Sequence, residues 1–177
     1  MNPTTRHTQL VVMGGGPGGY PAAFIAADHG LEVTLIDQET QPGGVCLYRG
    51  CIPSKALLHL ANLISETREA AEWGVTFAEP KIELDKVRLW KNKIIQRLTG
   101  GLGGLTRQRK ITHIQGRARF QDNKTLVISK KDGAEELLSF DNAIIATGSR
   151  PTVPENLKVE SDNVMDSTGA LELRDIP

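Results

Sequence analysis

Gln9-Leu10-Val11-Val12-Met13-Gly14-Gly15-Gly16-Pro17-Gly18-Gly19 is a short apolar run that enters a glycine-rich turn. The run has the length and β-branched content of a buried strand. The turn satisfies G-x-G-x-x-G at Gly14, Gly16 and Gly19. Tyr20 to His29 continues as a helix stopped by Gly30, and Leu31-Glu32-Val33-Thr34-Leu35-Ile36 reads as a second strand ending at Asp37. Strand, turn, helix, strand and acid within about 30 residues make a dinucleotide-binding unit of Rossmann type. Gly14 allows the tight turn, Gly16 lets backbone N–H groups approach a pyrophosphate, and Gly19 lets helix and strand pack closely. Pro17 and Gly18 complete a loop that leads into a helix N-terminus, which attracts an anion. Asp37 is placed to accept hydrogen bonds from a ribose. Pro21 lies inside the helix, where it lacks an N–H and crowds the carbonyl of Pro17, so a distorted first turn is expected.

A second signal follows at once. Residues 43–55 read Gly43-Gly44-Val45-Cys46-Leu47-Tyr48-Arg49-Gly50-Cys51-Ile52-Pro53-Ser54-Lys55 and hold the only two cysteines of the chain. Thiols with four residues between them, flanked by glycines and followed by a helix-starting Pro-Ser, can close a small ring at a helix N-terminus, a position that favours thiolate. The first nine residues contain no apolar stretch of signal-peptide type, and no run approaches the ~18 apolar residues of a membrane span. A cytoplasmic protein without a membrane partner is expected. In that reducing compartment a structural disulphide is rare and a catalytic one is the usual exception. Zinc needs about four ligands, and only His59 lies near the pair. The reading is therefore a redox-active disulphide.

Ser54 to Trp73 is read as a helix ended by Gly74, with Lys55 in its first turn. Lys55 lies four residues after Cys51, so on a helix the two share a face and the ammonium could stabilise a thiolate. Another long helix is expected from Asp85 through Arg97 toward Lys110, with Val87, Trp90, Ile94, Ile95, Leu98, Leu102 and Leu105 as its apolar stripe. Each of Gly100, Gly101, Gly103 and Gly104 costs about 1 kcal/mol in a helix interior, so either a break or a close packing contact is expected there, and a phosphate loop is a weaker option. From Lys110 the pattern turns to strands, with 111–115 leading into 116–120, then 125–129 pairing with 136–140 across Lys131-Asp132-Gly133. These read as a small antiparallel meander. Ala143-Ile144-Ile145-Ala146 is a separate buried strand with a tight exit through Thr147-Gly148-Ser149. The fold class is α/β, a parallel Rossmann-like sheet plus that meander.

The 177 residues carry 21 Lys plus Arg against 21 Asp plus Glu, with no long basic run, which argues against a nucleic-acid partner. Hydrophobic content of 39% is enough for a core. None of the four histidines reads as a catalytic base; His7 is placed in a polar N-terminal tail.

The cysteine segment resembles the active-site motif of the pyridine nucleotide-disulphide oxidoreductases, and Cys-Leu-x-x-Gly-Cys-Ile-Pro-Ser-Lys is most similar to the dihydrolipoamide dehydrogenase branch. It departs from the usual pattern at Val45, Tyr48 and Arg49 and keeps both cysteines, Gly50, Pro53 and Lys55. The resemblance implies FAD as the dinucleotide, with Gly44, Val45, Cys46 and Lys55 beside it and Gly116 and Ala118 contacting the adenine side. Ala146, Thr147, Gly148 and Ser149 would close the site. It makes Cys46 the interchange thiol and Cys51 the one beside the flavin. It further implies dihydrolipoamide, or the lipoyl protein of a 2-oxoacid dehydrogenase or glycine cleavage complex, as partner, with NAD as acceptor and a homodimer in the full-length enzyme.

By that resemblance residues 1–150 form the FAD-binding domain and 151–177 a connecting segment toward an NAD-binding domain not contained here. The chain is thus expected to be a fragment or truncated form without a nicotinamide site or proton-transfer base, not competent for full turnover. A flavin-disulphide reductase of the glutathione or mercuric type, or a non-catalytic flavin-binding module, remain the alternatives.

Overall fold

The computed structural model describes residues 6–161 and 163–175. The first five residues of the polar N-terminal stretch and the last two of the chain lie outside the described residues. The chain divides into two compact units, one running to Cys46 and resuming over Leu98–Ser149, the other comprising Leu47–Arg97 and the residues from Arg150 on.

The first unit is built on six strands: β1 Arg6–Met13, β2 Val33–Asp37, β3 Thr112–Gln115, β4 Arg117–Phe120, β5 Thr125–Ser129 and β6 Glu135–Ile145. Their order is β3-β2-β1-β6-β5-β4. β1 pairs in parallel with β2 and β6, and β2 with β3, while β4-β5-β6 run antiparallel. This is the α/β class read from the sequence. Helix α1, Gly19–Asp28, makes the crossover from β1 to β2.

Alternation along β1 explains the two cores. Leu10 and Val12 join Val33, Leu35, Ile111 and Ala23 of α1 in one buried cluster. Val11 and Met13 point the other way, onto Ile36, Ile114, Leu126, Ile128, Leu138 and Phe140.

Three expectations about the strands need correction. β1 begins at Arg6, because Arg6 and His7 pair with Leu138 and Ser139. His7 is therefore a strand residue, 3.1 Å from Ser139 Oγ through Nδ1 and 3.5 Å from Asp141 through Nε2, and not part of a tail. The segments 136–140 and 143–146 are not two strands, since the continuous β6 serves β5 along its first half and β1 along its second. Residues 111–115 do not belong to the meander. β3 is one edge of the sheet beside β2 and β4 the other edge beside β5, with Gly116 alone between them. Two Cα atoms flanking one residue cannot be more than about 7 Å apart, so the two edges converge there. Gly116 donates its N–H to Asp37 O at 2.8 Å. A Cβ on it would stand 2.8 Å from Ile128 Cγ2 and 2.9 Å from the Ser129 carbonyl.

Helix α2, Gly44–Arg49, precedes α3, Cys51–Glu69. A 3-10 turn over Ala70–Trp73 then closes on Gly74 at φ 87°. Helix α4, Leu84–Gln108, runs through all four glycines without a break. Close packing occurs at only one of them, because a Cβ on Gly103 would overlap Gln41 Oε1, whereas Gly100, Gly101 and Gly104 face nothing within 4 Å. A phosphate loop there is excluded, since helical amides are committed to carbonyls four residues back.

The expected stripe is also shifted. Lys91, Ile95, Thr99 and Thr106 are buried, while Trp90, Leu98 and Leu105 are exposed. The polar members find partners, as Thr106 Oγ1 donates to Leu102 O at 2.8 Å. The second unit ends with α5, Ser167–Glu172, whose N-cap Asp166 accepts the Gly169 N–H at 2.9 Å. Among the described residues no helix is long and apolar enough to cross a membrane.

Candidate functional site

At the carboxyl end of the parallel strands, β1 lies between β2, which follows it through α1 on one side, and β6, which the chain reaches on the other side only after β3, β4 and β5. Such a switch point opens a crevice outside the strand ends, and the glycine turn fills its floor. Gly14, at φ 104°, donates to Ile36 O at 2.8 Å. Ala146 donates to Met13 O at 2.8 Å from the other side. A Cβ on Gly14 would overlap the Ala146 carbonyl, and one on Gly19 would overlap the carbonyl of Gly14. Gly44 at φ 56° packs so closely that its Cβ would come 2.5 Å from Gly16 Cα, while Gly43 donates to Gly15 O at 2.8 Å. Gly16 itself has only Gly44 near the place of a Cβ, at 3.8 Å.

Helix α1 begins above this floor with Gly18 as its N-cap, no side-chain cap and no acidic residue in its first turn. Nothing on the helix itself competes with an anion for its positive end. The helix starts one residue earlier than read, which places Pro21 third. There the missing N–H has no intrahelical partner to lose, and α1 runs unbroken through it instead of distorting.

Asp37 ends β2 with both carboxylate oxygens engaged, Oδ2 by the Gly15 N–H at 2.5 Å and Oδ1 by the Glu39 N–H at 2.8 Å. Each oxygen keeps a second lone pair for a ribose hydroxyl. The acid thus also holds the glycine turn, a role its sequence position did not announce. Ala118 packs against the core below, and Thr147, Gly148 and Ser149 emerge exposed beyond β6. Pro17 and Gly18 are exposed on the turn, as is Val45 on α2.

The structure places Cys46 on α2, where it closes the first unit, and Cys51 as the first residue of α3 in the second. Both are thiols in this structure. α3 starts three residues before Ser54, so the helix N-terminus expected near the sulfurs belongs to Cys51 itself. Its N-cap, Gly50, provides no side-chain hydrogen bond, and the Ser54 N–H reaches Gly50 O at 3.0 Å. Lys55 follows in the first turn, exposed like Cys51.

Sequence reasoning missed His113. Its register partner on β2 is Leu35, two residues before Asp37, and its Nε2 is buried without a hydrogen-bond partner. Burial lowers its pKa from the usual 6.5, with Asp37 pulling the other way. The unfolded chain therefore binds a proton that the folded chain resists. Stability from this residue is complete above about pH 6.5 and is lost as pH falls toward the lower folded value. We expect His113→Val to show a shallower loss of Tm than the wild type between pH 7 and about pH 5; parallel Tm curves would disprove the assignment.

The chain matches the family model described as pyridine nucleotide-disulphide oxidoreductase over residues 8–177. It is 49% identical over 170 residues to the dihydrolipoyl dehydrogenase of Haemophilus influenzae, covering 96% of this chain and 36% of that protein. For Vibrio cholerae the dihydrolipoyl dehydrogenase is 47% identical over 169 residues, with 96% and 35% covered. The Bacillus subtilis protein of that name is 41% identical over 170 residues, with 96% and 36% covered. The chain thus spans a little over a third of the length of these curated relatives.

Proposed function

This chain belongs to the pyridine nucleotide-disulphide oxidoreductase family, and we propose that it is the FAD-holding, thiol-bearing portion of a dihydrolipoamide dehydrogenase. Residues 1–150 form the FAD-binding part, and 151–177 lead toward a nicotinamide-binding part. The observation that carries this reading is the glycine floor at the switch point, with the uncapped start of α1 above it.

The residues fit the cofactor. Amides of the turn from Gly14 to Gly19 would meet the pyrophosphate, Asp37 the ribose, and the backbone at Gly116 and Ala118 the adenine. Gly44, Val45, Cys46, Lys55 and the exit from Ala146 to Ser149 would border the rest. When bound, the flavin accepts an electron pair from thiols and passes it on to a nicotinamide.

The chain's own chemistry is thiol exchange. In the oxidised enzyme Cys46 and Cys51 share a disulphide. A dihydrolipoamide thiolate attacks Cys46, forming a mixed disulphide and releasing Cys51 as thiolate. The second substrate thiol then displaces Cys46, so the substrate leaves as a disulphide and the enzyme holds two reduced sulfurs. Cys51 is the first residue of α3, and Lys55 follows it one turn on. A lipoyl protein of a 2-oxoacid dehydrogenase or glycine cleavage complex supplies the dithiol, in the cytoplasm, to a homodimeric enzyme using NAD.

The test is direct. The purified chain is mixed with FAD, desalted and scanned in the visible. A retained flavin spectrum is the expected outcome. A colourless protein would refute the claim that these residues suffice to hold the cofactor.

A further inference from the structure

Two cations of α4 reach the end of α5. Lys91 Nζ donates to Leu171 O at 2.6 Å, Arg88 Nε donates to Leu173 O at 2.8 Å, and Arg88 Nη2 donates to Arg174 O. Carbonyls at a helix C-terminus lack helical partners and carry the negative end of the dipole, so they take lysine and arginine well. Here the cations come from another helix 80 or more residues away in sequence. Arg88 is steadied by Asp85 of its own helix at 2.7 Å.

Two features show that the arrangement is held against a cost. Lys91 is only 7% exposed, an unusual fate for lysine. Burial lowers its pKa, with Glu172 opposing and Arg88 reinforcing that shift. Leu173 adopts φ 56°, a left-handed conformation that non-glycine residues rarely take.

We propose that Arg88 and Lys91 form a latch that clamps the end of α5 to α4 and so sets the direction in which the chain leaves Leu173. In the function proposed above, that direction positions the nicotinamide-binding part, and this role rests on that reading; the latch itself does not.

The experiment is hydrogen exchange followed by mass spectrometry on the full chain, comparing wild type with Lys91→Met, which keeps most of the buried stem, and Arg88→Gln. For both variants, amides from Ala170 to Asp175 are expected to exchange at least tenfold faster than in the wild type, with exchange in β1, β6 and the rest of α4 unchanged. Rates over 170–175 within twofold of the wild type in Arg88→Gln would overturn the proposal. So would loss of protection throughout α4 in Lys91→Met without a local effect in Arg88→Gln, because Lys91 would then be a core residue only. Flavin retention, measured on the same samples, is expected to match the wild type's. A wild type that holds no flavin, with the local effect still seen in both variants, would refute the claim that these residues suffice to hold FAD and leave the latch standing.

Discussion

Gly19→Ala is expected to yield a protein that loses flavin on desalting and unfolds at lower urea than the wild type. The new methyl group would overlap the carbonyl of Gly14, and backbone cannot swing aside as a side chain can. Gly14 is itself pinned between Ile36 O, which its N–H meets at 2.8 Å, and Ala146, whose carbonyl a Cβ there would overlap. Relief must come from moving α1 off the turn. Overpacking of this kind costs about 1–3 kcal/mol of stability, and the displaced helix start would weaken FAD binding by roughly 100-fold, since amide geometry at the pyrophosphate is what the turn supplies. Gly100→Ala provides the contrast. Nothing lies within 4 Å of its added methyl and the position is inside α4, so a gain of up to about 1 kcal/mol is expected. Urea titration of both variants decides the matter, and equal losses would show that space around the glycines is not what selects them.

Cys51→Ser is expected to keep bound FAD while losing all flavin bleaching by dihydrolipoamide under anaerobic conditions. In the proposed thiol exchange, a hydroxyl cannot form the disulphide that a dithiol would open, leaving electrons no route from thiol to flavin. The fold should tolerate the change, because Cys51 is exposed at the first position of α3. Dithionite should still bleach the variant, which separates a lost relay from a lost cofactor. Release of FAD from Cys51→Ser would show that the cysteine is structural, and undiminished bleaching by dithiol would remove the pair from the chemistry.

What the sequence made legible was local. Gly14, Gly16, Gly19 and Asp37 stand close along the chain, and their turn, helix and strand obey short-range rules that survive folding. Gly74 and the hairpin at Gly133 were readable for the same reason. Residues whose partners lie far along the chain were not. Nothing in 111–120 tells that Gly116 separates opposite edges of one sheet, because that depends on β6 lying beside β1. The buried face of α4 was misassigned because apolar content was taken as the guide. Lys91 and Thr106 are buried with their polar atoms satisfied, and hydrophobic periodicity is blind to that. Asp37 holding Gly15, and His113 lying on the neighbouring strand, are likewise consequences of strand register.

The pairing of β1 with β6 joins Arg6 to Leu138, and this governs the order in which the molecule can be made. A chain emerging from the ribosome exposes its first strand more than a hundred residues before the partner appears. Contacts of such separation form late and slowly. The glycine turn shares that delay, because Gly14 is braced by Ala146. The nucleotide crevice is therefore completed only once the end of β6 is made, although its glycine fingerprint is synthesised more than a hundred residues earlier.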